Sequence, residues 1–220
     1  MQKNILKHLI VAQFLLVSSA VLADTYHFLP TNPNNNNIGL PNAVGSQLTV
    51  DVTDSGFGSA LFTFTNPVGV SSSITNVWFS DPAPTVFSSY AITSQIGDIS
   101  FTLDSPNPAN FPEGGPSFVE VASADAAAEG TNEIPNGINA IGESLTFTAI
   151  FNGGNSFASL INSINSGEFR IALQTRHNPL GGNPSTDRWL NDTPATVPTP
   201  AAGWLFGTAL LGLMGLRRKM

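Results

Sequence analysis

Within residues 24–196 the chain carries few of the side chains that drive proton transfer or nucleophilic attack. It has no Cys, no Lys, and two His, His27 and His177. Without Lys there is no P-loop lysine, Schiff base or Ser-Lys pair, and without Cys there is no thiolate nucleophile and no disulfide. Arg176-His177, next to a loop carrying Asp187 and Trp189, has the most scope for acid–base work, because an imidazole beside a carboxylate is the minimum for a general base. A solvated strand end with an Arg-Asp pair is the plainer account. Asp51 with Asp54, and Glu129 with Glu133, are carboxylate pairs that could hold Ca²⁺ with backbone carbonyls or act as paired acids. Neither follows a Ca²⁺-loop pattern, and solvated charge accounts for both. No catalytic, cofactor-binding or metal-binding residue is therefore assigned. A non-enzymatic body is expected, with Ca²⁺ the one ion its carboxylates would suit.

Other candidates have simpler readings. Gly56-Phe57-Gly58 begins like a dinucleotide fingerprint, but Leu61 stands where the third Gly belongs and a β run follows, so it reads as a turn. Trp78, Trp189 and Tyr90 would offer sugars a stacking platform if they lay on an exposed face. Asn191-Asp192-Thr193 spells a glycosylation sequon. His27, close behind the expected new N-terminus, is expected to fray.

Charge is partitioned along the chain. All fifteen acidic residues lie within 24–192, while Lys3, Lys7, Arg217, Arg218 and Lys219 sit at the two ends. Residues 24–196 keep Arg170, Arg176 and Arg188 as their only basic side chains, a net of −12. Such a body repels nucleic acid and anionic surfaces and tolerates cations and neutral sugars. Nucleic acid is not an expected partner.

Residues 47–192 read as β structure. Runs at 47–52, 60–65, 74–79, 87–92, 99–103, 118–122, 145–151 and 169–174 are short, rich in β-branched and aromatic residues, and bounded by Gly, Pro, Asn or Asp. One segment has helical spacing: Asn155-Ser156 as cap, Phe157, Leu160, Ile161 and Ile164 on one face, Gly167 as stop. The expected fold is mainly β, an antiparallel β-sandwich of jelly-roll-like or Ig-like type with one short helix. Residues 24–46 read as an Asn/Pro-rich N-terminal segment of the mature body.

Both ends read as targeting segments. Lys3 and Lys7, the apolar stretch 9–17 and the small residues before Ala23 make a signal peptide over residues 1–23, cleaved after Ala23. At the other end a stalk (193–200) precedes an apolar helix (201–216) and a basic tail (217–220). Sixteen residues of helix span about 24 Å at ~1.5 Å per residue, short of a ~30 Å hydrocarbon core, which makes a marginal anchor. Arg217, Arg218 and Lys219 set its orientation, holding the tail cytoplasmic and the body outside.

The arrangement Val197-Pro198-Thr199-Pro200-Ala201-Ala202, then Trp204-Leu205-Phe206-Gly207, then Leu210-Leu211-Gly212-Leu213, then Arg217-Arg218-Lys219 resembles the PEP-CTERM sorting signal of exported proteins in Gram-negative, biofilm-forming bacteria. Thr199 stands where that family's name-giving Glu would be. The resemblance covers about a tenth of the chain. It implies an exosortase-type membrane protease as partner, cleavage near residues 198–202, and a body transiently anchored in the membrane and then displayed or released. A structural or adhesive matrix protein is the leading expectation. A carbohydrate-binding module for extracellular polysaccharide, with or without Ca²⁺, is the alternative. A polysaccharide hydrolase, relying on carboxylates or His177, comes third.

Overall fold

A computed structural model of the chain describes residues 23–31, 41–67, 69–80, 86–103, 108–109, 118–124, 136–177 and 185–193. The leader up to residue 22, the sorting motif 197–202, the apolar segment 201–216 and Arg217-Arg218-Lys219 lie outside the described residues, as do Glu129 and Glu133. Among the described residues no helix is long and apolar enough to cross a membrane.

The elements are β1 (Ala23–Pro30), α1 (Pro41–Gln47), β2 (Thr49–Gly56), β3 (Ser59–Thr65), β4 (Ser73–Ser80), β5 (Phe87–Ile96), β6 (Phe101–Leu103), β7 (Pro108–Ala109), β8 (Phe118–Ala124), β9 (Ser144–Phe151), α2 (Phe157–Ser166), β10 (Arg170–His177) and β11 (Ser185–Asn191). All strand pairings are antiparallel, in the order β5-β9-β3-β2-β1-β11-β10-β4-β8-β6, with β7 on β8. The end strands β5 and β6 come back into contact, so the sheet is nearly closed like a barrel.

Period-two alternation decides which side chains fill it. Phe62 and Phe64 of β3, Leu145 and Phe147 of β9, and Val50 and Val52 of β2 are buried, while their neighbours Thr63, Thr65, Thr146 and Thr49 stay partly exposed. Phe79 lies at the centre, with ring contacts to Phe62, Tyr90, Phe147 and Phe169 at centroid separations of 4.9–6.4 Å. β4 and β10 are covered on both faces, because Trp78, Phe118 and Ala172 form a second small cluster with Leu190 on the far side. A strand buried on both faces loses its alternation, and β4 does read as a near-continuous buried run.

Helix α2 forms as its residues dictate. Ser156 caps it in a reciprocal box with Ser159, Gly167 ends it at φ 79°, and Phe157, Leu160 and Ile164 are buried in the core. α1 packs on β1 at Gly45, where a Cβ would overlap the Phe28 carbonyl and press on the Trp189 ring.

The sheet begins earlier than the sequence pattern suggests. β1 starts at Ala23, the last residue read as leader, and runs into the segment read as Asn/Pro-rich, yet it is a central strand with Tyr26 and Phe28 buried. It also changes partners midway: Ala23–His27 pair with β2 and Phe28–Pro30 with β11. His27 is therefore not frayed; it is held in register opposite Thr49 with its side chain exposed. This handover joins into one curled ladder what the alternation alone presents as two sheets.

Candidate functional site

Strand register scatters most of the sequence candidates. Leu173 stands opposite Trp189 and Thr175 opposite Asp187, while Arg176 stands opposite Thr186. Arg176 and Asp187 thus project from opposite faces of the β10–β11 ribbon, and the arginine is not aimed at that carboxylate. His177 ends β10 opposite Ser185. Asp51 and Asp54 are three residues apart along β2, about 10 Å at ~3.3 Å per residue, and do not converge. Asp51 accepts from Thr25 Oγ1, and Asp54 accepts from the N–H of Gly56 at 2.8 Å inside the following turn. Among the described residues no three His, Cys, Asp or Glu side chains gather into a group.

The aromatic platform is corrected as well. Trp189 is buried, with its indole N–H donating to Thr175 Oγ1 at 2.8 Å, and Trp78 is buried in the outer cluster. Tyr90 is half-buried, its ring packed against Phe79 and Phe87. None of the three lies free on a face where a sugar ring could stack. The sequon is closed too. The Asn191 side chain is fully buried, accepts from the Ile171 N–H at 2.8 Å and from Arg170 Nε at 3.2 Å, and donates to the Asp192 carbonyl. No glycan could be carried there without opening the sheet.

The register does assemble an outer face rich in hydroxyls. Thr53, Leu61 and Thr148 form one cross-strand row, Asp51, Thr63 and Thr146 the next, and Thr49, Thr65 and Ser144 a third. Hydroxyls bridge neighbouring strands at Thr49–Thr65 (2.6 Å), Thr63–Thr146 (3.2 Å) and Thr148–Thr93 (3.2 Å). Rows stand about 6.6 Å apart along the strands and columns about 4.8 Å apart across them. The face is polar and holds one carboxylate, Asp51, so it suits neutral hydroxylated partners better than charged ones.

One end of this face carries an apolar tip. Gly56, Phe57 and Gly58 all have positive φ (72°, 53° and 76°), and Phe57 is the one non-glycine residue to do so among the described residues. Its ring is fully exposed at 107% of the reference area. Ser55 and Ser59 share a hydroxyl hydrogen bond at 2.6 Å, and Ser59 Oγ donates to the Gly56 carbonyl at 3.0 Å, which braces the turn. Ile150, opposite Ser59 on β9, is half exposed beside it.

At the β1–β11 seam the main chain brings together Asp24, Tyr26, Arg170 and Asp192. Burial, with Asp24 and Asp192 adding to it, pushes the Tyr26 phenol above its ordinary range, and its hydroxyl donates to Asn165 Oδ1 at 3.3 Å. Burial pulls the Arg170 guanidinium down, and Asp192 opposes that. A shallow groove of about 260 Å³ between β1 and α1 is lined by His27, Phe28, Leu29 and Ser46.

Sequence reasoning missed the tip because it treated Gly56-Phe57-Gly58 only as punctuation. The signal was present: an aromatic between two glycines in a turn has no core to enter. Set against known protein families, curated proteins and solved structures, the chain matches none of them.

Proposed function

We propose that this is an exported protein of a Gram-negative bacterium, sorted by a PEP-CTERM/exosortase-type signal. Its β body, once displayed or released, serves a structural or adhesive role in the extracellular matrix. The recognition part of the reading comes from the tail residues 197–202 and 217–219 and from the leader ending at Ala23. The observation that carries it to the body is the pairing of β1 with β11, which sends both described chain ends out of the same end of the barrel. A body tethered through its C-terminus then turns that end toward its support and leaves the hydroxyl face of β2, β3 and β9 free. We read the flattened barrel as sandwich-like in packing, β5, β9, β3 and β2 on one side and β11, β10, β4, β8 and β6 on the other.

A second reading, contact with neutral extracellular polysaccharide, is favoured by the threonine rows and not by the tryptophans. Mass spectrometry of protein shed from the native host tests the sorting claim. The expected product begins at Asp24 and ends near residues 198–202. Shed protein that still carries Arg217-Arg218-Lys219 would overturn it. A glycan array probed with the shed protein separates the two readings, since retention on neutral glycans, lost on Thr63→Val with Thr146→Val, favours the second.

A further inference from the structure

We propose that Phe57, at the tip of the β2–β3 hairpin, is a second membrane contact that seats the tethered body on the bilayer interface. The inference rests on the anchoring reading of the tail. Three observations converge on it.

The first is the tip itself. An L-residue in the left-handed region costs about 1–2 kcal/mol relative to Gly, and an aromatic ring in water returns none of it. The chain nevertheless holds Phe57 there between two glycines, fully exposed and braced by Asp54, Ser55 and Ser59, with Ile150 alongside. A strained, rigid, apolar tip has the form of a residue kept out of the core for use elsewhere.

The second is direction. Asn191 stands opposite Phe28, and the Asp192 N–H donates to the His27 carbonyl. β11 therefore leaves the barrel running toward the Ala23 end of β1. Ala23 is opposite Thr53, so β2 runs toward that same end and its hairpin extends beyond it. The tip and the C-terminal exit point the same way.

The third is length. The chain leaves the sheet near Tyr26, which stands opposite Val50. From Val50 to Phe57 the hairpin advances about 20 Å at ~3.3 Å per residue, less the bulge near its end. Seven residues, 194–200, separate Thr193 from the apolar segment that opens at Ala201, and three of them are Pro. Seven residues at ~3.1 Å each bound the reach of such a linker at about 22 Å. A linker of that reach is long enough for Phe57 to meet the lipid interface while the apolar segment is inserted, and a phenyl ring arriving there gains apolar burial. Asp24, Asp54, Glu168 and Asp192 lie toward this end against Arg170, the single cation there among the described residues, so the contact prefers zwitterionic to anionic lipid.

Because the chain has no Cys, single spin labels report on it cleanly. Full-length Phe57→Cys, Ile150→Cys and Thr63→Cys chains are labelled and reconstituted into phosphatidylcholine vesicles, and collision rates with oxygen and with a nickel chelate are compared. The expected oxygen-to-nickel ratio is several-fold higher at 57 and 150 than at 63. Adding Phe57→Gly, which suits the positive φ, lowers the ratio at 150, and anionic lipid lowers it at low salt. A chain that fails to float with the vesicles overturns the anchoring reading and this proposal together. A floating chain whose labels at 57 and 150 are as water-accessible as that at 63 overturns this proposal alone. Shielding at 57 that appears only when neutral polysaccharide is added also overturns it, in favour of a glycan contact.

Discussion

His27 and Asp192 hold one another through two hydrogen bonds: the Asp192 N–H donates to the His27 carbonyl at 2.8 Å, and the His27 N–H donates to Asp192 Oδ1 at 3.1 Å. This clasp marks where the barrel ends on the C-terminal side. The carboxylate is its lesser half, because the main-chain bond survives loss of the side chain. Asp192→Ala is expected to cost about 1 kcal/mol in urea denaturation.

Its neighbour should behave differently. Asn191→Ala strips the acceptor from the Ile171 N–H and from Arg170 inside a fully buried site. Leaving a buried amide unsatisfied costs about 1–3 kcal/mol, more than the exposed clasp. Equal losses at the two positions would contradict this account.

Glu143 ties three backbone amides. Oε2 accepts from the Asn139 and Ala140 N–H groups at 2.7 and 2.9 Å, and Oε1 accepts from the Asp98 N–H at 3.3 Å. Glu143→Gln turns one of those oxygens into a donor facing donors. A loss of about 1–3 kcal/mol is expected, with faster hydrogen exchange at Asn139 and Ala140.

Gly45 sits where α1 meets β1, and a methyl group there would strike the Phe28 carbonyl and crowd Trp189. Gly45→Ala is expected to lower stability by about 1–3 kcal/mol, as overpacking does, despite the better helix propensity of Ala. Thermal melting with a raised midpoint would refute the close approach.

The phenol of Tyr26 gives a pH signature. Its folded pKa is raised above the unfolded value of 10.0 by burial and by Asp24 and Asp192. The folded state therefore holds the proton more tightly. The associated stability is fully present below pH 10 and is lost as pH rises through the folded value. Tyr26→Phe should flatten the decline in denaturation midpoint above pH 10 while costing no more than about 1 kcal/mol at neutral pH, where only the bond to Asn165 is removed.

The eight runs that alternate in the sequence each overlap a strand, although Gln47 closes α1 and Leu48, Ile99, Ser100 and Phe169 lie just outside their strands, and the capped helix falls where Ser156 and Gly167 put it. Runs such as those of β2, β3 and β9 announce themselves because each is half-buried, one face in and one face out. Those of β4 and β10, covered on both faces, show instead as apolar runs bounded by polar residues and Gly. β1 and β11 do not. Tyr26 and Phe28 are the only buried residues of a strand set between leader and Asn-rich run, and β11 buries Trp189 beside a polar Asn191. Their place comes from pairing with each other, a long-range fact that no local window contains. Likewise the hydroxyl rows needed the register between β2, β3 and β9, and the burial of Trp78 needed a second cluster on the outer side of β4. The exposure of Phe57 needed the turn geometry. Composition told which chemistry was scarce; only the ladder told which side chains stand together.

The clasp also orders events in time. His27 and Asp192 are 165 positions apart in the chain, so the strand made first waits for the strand made last. Until β11 arrives, β1 and β10 each lack a neighbour and the ladder cannot close. Topologies dominated by such distant pairings fold slowly. Were the chain exported as proposed, the closed ladder could not form before the passage was nearly complete. The barrel takes its final form only once its last strand has joined β1 to β10.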